Sequence, residues 1–143
     1  MDGSEAAADA MKEAQTLGEA IAAQPPWLHA WVGVLIATHL LAAVFLVQRR
    51  DGAWHFRWEP AAIVASFVVA AVIMETLHGA FGYVRLLGLA HLVGWTPIYA
   101  WMLRRRGAIG FGSWWGRYVH LYLGVAGTSL AIDAIDLARY LAG

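Results

Sequence analysis

From Trp27 to Gln48 the chain runs for twenty-two residues without one Asp, Glu, Lys or Arg. A helix crosses a hydrocarbon core in about 20 residues and satisfies its own backbone groups while doing so, so a run of this kind is a membrane span. The rest of the chain must then be read as a membrane protein. Composition agrees: 60% of the residues are hydrophobic, 14% are charged and the mean hydropathy is +0.55. One domain is expected over 27–143, preceded by a separate segment at 1–24.

Four spans follow from where the charges fall, at about 27–48, 61–81, 84–103 and 118–141. Arg49-Arg50-Asp51-Gly52 interrupts the first and second, and Glu59-Pro60 supplies the acid and first-turn proline of a helix start. Gly79 and Gly82 allow a tight reversal into the third span, which Arg104-Arg105-Arg106 ends, and a Gly-rich linker from Gly107 leads to the fourth. Pro97 is expected to kink the third span, and Gly124 and Gly127 to let neighbouring helices approach the fourth closely. The predicted fold is all-α, an integral membrane four-helix up-down-up-down bundle with a short N-terminal amphipathic helix. That last element rests on Ala7, Met11, Ala14, Leu17 and Ile21 near helical spacing, ended by Pro25-Pro26. Its acidic character and lack of a basic leader or small-residue cleavage pattern argue against a signal peptide.

The charges also orient the bundle. Connections one and three hold Arg49, Arg50, Arg57, Arg104, Arg105, Arg106 and Arg117, whereas Lys12, Arg85 and Arg139 lie on the other side. The positive-inside rule makes the Arg-rich side cytoplasmic in a bacterial-type inner membrane, with both termini outside. Trp54, Trp58, Trp101, Trp114 and Trp115 form the expected inner aromatic belt, and Trp27, Trp31, Tyr83 and Tyr140 the outer one.

With topology set, a rise of ~1.5 Å per residue converts position into depth from the Arg-rich boundary: about 20 Å for His91, 22 for Glu75, 24 for Asp133 and 27–28 for His78, Arg85, Asp136 and His29. Ionisable side chains inside a membrane are costly and mark function or mutual pairing. Glu75-x-x-His78 and Asp133-x-x-Asp136 each place two side chains on one helix face. Glu75, His78, His91, Asp133 and Asp136 are therefore candidate ligands for one metal ion held by nitrogen and oxygen; the chain has no cysteine, which excludes thiolate chemistry and disulfides. Arg85, His29 and His39 are candidate ligand-binding groups. The same residues also admit a small polar ligand, or a plain ion-pair network in which Arg85 meets Glu75 or Asp133 and Arg139 meets Asp136.

A second reading is a haem-b electron carrier with axial pairs His39 and His91, or His29 and His78. A third is a non-catalytic accessory subunit. Membrane lipid, a homo-oligomer or a membrane-protein partner fits this chain; its net charge of zero argues against nucleic acid. Tyr118, Tyr122, Ser129, Asp133, Asp136 and Tyr140 share one face of the last span and are expected to point into the bundle.

Overall fold

A computed structural model describes residues 16–82 and 85–143. The chain is mostly helical. After a short helix α1 (Leu17–Ala22) come α2 (Pro26–Leu41), continued by a 3-10 turn (Ala42–Phe45), strands β1 (Val47–Arg50) and β2 (Ala53–Phe56), and α3 (Trp58–Phe81). A 3-10 turn (Arg85–Leu87) leads into α4 (Gly88–Ile109), and α5 (Trp114–Ala142) ends the chain. Among the described residues three segments are long and apolar enough to cross a membrane: Pro26–Phe45, Trp58–Phe81 and Trp114–Ala142. Their outward faces are apolar, with Val68, Val72, Leu121 and Ile135 all exposed.

Helix α4 differs in composition because His91, Trp95 and Pro97 interrupt it and Arg104–Arg106 fall within its length. It packs chiefly against α3 and α5. That placement depends on Gly94, where an added Cβ would lie 2.9 Å from the Cβ of Ala70 on α3. Close approach to α5 comes at Gly127, which faces the Tyr99 hydroxyl, whereas Gly124 has open space around its Cα. The expected small-residue contact on the last helix is thus made by Gly127 and not by Gly124.

Several boundaries depart from the sequence expectation. The first apolar run does not remain helical to Gln48: it ends at Phe45, and Val47–Arg50 pairs antiparallel with Ala53–Phe56. Asp51 and Gly52 adopt φ of 52° and 82°, the left-handed pair of a two-residue hairpin turn for which Asp-Gly is well suited. The fold is therefore not purely helical. Helix α4 continues through the three arginines to Ile109, since a helix leaving an apolar layer needs no break at its first charge. Helix α5 starts at Trp114, capped by Ser113, whose hydroxyl accepts from the Gly116 N–H at 3.0 Å.

At the arginine end, Arg105 meets Glu59 at 3.3 Å, and the guanidiniums of Arg57 and Arg117 lie over the rings of Trp115 and Trp114. Trp115 is a core residue instead of a belt residue, packed against Phe45 and Tyr118. Of the N-terminal amphipathic segment, Leu17–Ala22 is helical and carries a capping box in which Thr16 and Glu19 satisfy each other's backbone N–H. Ala7, Met11 and Ala14 lie outside the described residues, as does Tyr83.

Candidate functional site

Asp133 on α5 and His91 on α4 meet through a hydrogen bond of 2.8 Å between Nδ1 of the imidazole and Oδ2 of the carboxylate. Both side chains are mostly buried, at 18% and 16% exposure. Two features of the sequence allow the contact. Residue 88 has no side chain, and a Cβ there would sit 3.0 Å from both Cβ and Oδ1 of Asp133, so glycine lets α5 carry its carboxylate against the first turn of α4 without displacing it. His91 then follows Gly88 by three residues and presents its ring on the same helix face.

The electrostatics follow from that packing. Asp133 lies more than two turns from the C-terminal end of its own helix, beyond the reach of that end's dipole, and it abuts the N-terminal turn of α4, where the field favours an anion. The imidazole adds a direct hydrogen bond, and the Ser129 hydroxyl a longer one at 3.4 Å. The imidazole in turn stacks on Trp95, one turn along α4, at 4.0 Å between centroids and 16° between planes.

This pair forms part of the wall of a cavity of about 600 Å³. Leu17 and Ile21 of α1, Trp27 and Trp31 of α2 and Phe67 and Met74 of α3 supply apolar surface. Its polar groups are Glu75, His91, Ser129, Asp133 and Asp136. Among the described residues no Lys or Arg lines it. Asp136 also lies 3.9 Å from Arg139 at the exposed rim, a weak version of the expected pairing.

The predicted site residues separate accordingly. Glu75, His91, Asp133 and Asp136 surround one cavity, and only His91 and Asp133 touch. His78 does not line it. Among the described residues no three His, Asp or Glu side chains converge as a metal-holding group. One ion needs its donors within a common coordination radius, and of the five-residue set only His91 and Asp133 lie within hydrogen-bonding distance of each other. His29 is also redirected: its Nε2 lies 2.7 Å from the carbonyl oxygen of Ile21, so it donates to α1 and ties that helix to α2. The side chain of Arg85 lies outside the described residues, and with it the expected pairing to Glu75 or Asp133.

His39 is wholly buried and its Nδ1 donates to the Leu35 carbonyl at 2.8 Å. Its ring packs on Trp95 at 4.2 Å between centroids. His39 and His91 therefore both pack against the Trp95 indole.

Sequence reasoning did not single out Trp95, which touches both imidazoles and lines the cavity. The available signal was its position: a tryptophan in mid-span, away from both aromatic belts, four residues from His91. The stripe on the last helix is partly as expected, with Tyr118, Tyr122 and Ser129 buried and Asp133 and Asp136 at the cavity, while Tyr140 is exposed. Comparison with protein-family models, with curated proteins and with solved structures finds no match to this chain.

Proposed function

We propose that this chain is a multi-pass membrane protein that binds a small organic molecule, apolar over most of its surface and carrying one basic group, in the cavity walled by His91 and Asp133. The observation that carries the reading is the composition of that cavity, an apolar, indole-rich lining broken by three carboxylates and one imidazole. Pockets of this size and type take ligands whose body is buried by apolar contact and whose orientation is set by a few polar groups. A cationic group would face Asp133 and Glu75, and indole faces favour the same charge.

In this reading α2 to α5 are the four spans of an up-down-up-down bundle. Helix α4 crosses despite its polar residues because it faces α3 and α5 more than lipid. The Arg57, Arg105 and Arg117 contacts gather the two Arg-bearing connections at one end, which supports a cytoplasmic assignment for that end of an inner membrane and an external one for the termini and the cavity.

Titration of the purified protein with benzyltrimethylammonium, followed by tryptophan fluorescence, tests the ligand class. Saturable binding is expected, weaker by at least tenfold in Asp133→Asn, or about 1.4 kcal/mol. Binding of the neutral carbon isostere, neopentylbenzene, with equal affinity would remove the charge argument while leaving an apolar pocket.

A further inference from the structure

His39 poses a second question in the interior. Its Nδ1 lies 2.8 Å from the Leu35 carbonyl oxygen. A carbonyl only accepts, so Nδ1 carries the proton and Nε2 of the neutral ring presents a lone pair. Among the described residues that Nε2 has no hydrogen-bond partner, and the same is true of the indole N–H of Trp95 and the hydroxyl of Tyr122. All three side chains are fully buried. They are also neighbours, with the His39 ring 4.2 Å from that of Trp95 and 5.5 Å from that of Tyr122, the latter edge-on.

The chemistry of the three groups is complementary. One is an acceptor, one is a donor only, and the third is a hydroxyl that can donate. A single water molecule would satisfy all three by donating to Nε2 and accepting from the indole and the phenol, the three hydrogen bonds typical of a buried water. A direct bond from the Tyr122 hydroxyl to Nε2 would satisfy two of the groups and leave the indole unpaired, which is rare for a buried N–H.

We propose that His39, Trp95 and Tyr122 form an internal hydration site that holds one ordered water in the middle of the helix packing. Because Trp95 also stacks on His91 and lines the ligand cavity, this site is the next polar station inward from the His91–Asp133 pair. The assignment stands whether or not that cavity binds an organic cation.

Solid-state NMR of the 15N-labelled protein in lipid bilayers tests it, using polarisation transfer from water protons to side-chain nitrogens. The expected result is transfer from water to the Trp95 indole N–H, assigned by its disappearance in Trp95→Phe, and a hydrogen-bonded Nε2 on His39. His39→Phe, whose ring takes the space of the water, should abolish the transfer. Should that variant fail to fold, Tyr122→Phe decides the matter. With a bridging water, the His39 Nε2 resonance keeps its hydrogen-bonded shift; with a direct Tyr122–His39 bond it moves downfield to that of a free lone pair. A folded protein without water transfer to Trp95, or that downfield move, overturns the proposal.

Discussion

Replacing Asp133 with alanine probes the contact on which the site is built. The change leaves Nδ1 of His91 without its acceptor in a position where the imidazole is only 18% exposed. In soluble proteins, orphaning such a group costs about 1–3 kcal/mol. Hydrogen bonds between membrane helices are weaker in double-mutant cycles, about 0.6 kcal/mol on average and about 1.7 at most, because the unfolded chain finds other partners inside the membrane. Where the two helices cross a membrane, as proposed, the second scale applies to this pair. Asp133→Ala should therefore cost about 1–2 kcal/mol and the His91–Asp133 coupling energy should be about 1 kcal/mol. Asp133→Asn retains an acceptor oxygen and should lose less than about 1 kcal/mol. The assay is reversible unfolding in mixed micelles on Asp133→Ala, His91→Ala and the double variant. A coupling energy of zero, together with wild-type stability for Asp133→Ala, would refute the reasoning, since a 2.8 Å bond in a mostly buried setting cannot be silent on either scale.

Three further outcomes rest on other contacts. Gly88→Ala puts a methyl 3.0 Å from the Asp133 side chain and should weaken binding of an organic cation by displacing the carboxylate, with less effect on a neutral isostere, as read by fluorescence titration. Gly94→Leu should destabilise the protein by about 1–3 kcal/mol in the same unfolding assay, because its Cβ alone would lie 2.9 Å from Ala70 and the backbones must separate. His29→Ala removes the 2.7 Å bond to Ile21 and should speed amide exchange in Leu17–Ala22 while leaving α3 and α5 unchanged, by hydrogen exchange with mass spectrometry.

Long charge-free runs made the segments able to span a membrane legible, because a helix satisfies its own backbone in hydrocarbon. Boundaries were legible where a local helix-end signal such as Gly82 was present, and misplaced where hydropathy or charge alone set them. Val47 and Gln48 read as the tail of a span, yet they belong to a hairpin whose Asp51-Gly52 turn is a local signal independent of hydropathy. Arg104–Arg106 read as a stop, yet charge ends an apolar layer without ending a helix. Within the site, depth along the helices placed His91 and Asp133 at similar levels, and the two do meet. Depth carries no azimuth, however, and that explains why His78, at a comparable level to Asp136, lies off the cavity that Asp136 lines. The role of Gly88 was beyond sequence reasoning of this kind, since a missing side chain signals a close approach only once the neighbour is known.

Photo-crosslinking with a diazirine-bearing benzylammonium, followed by peptide mapping, tests ligand binding in this cavity most directly. Adducts are expected on cavity residues such as Trp31, Met74 and Ile132, suppressed by excess benzyltrimethylammonium and lost in Asp133→Asn. Label spread over exposed apolar residues outside the cavity such as Val68, Val72 and Leu121, with no response to competitor or to the Asp133 variant, would contradict it.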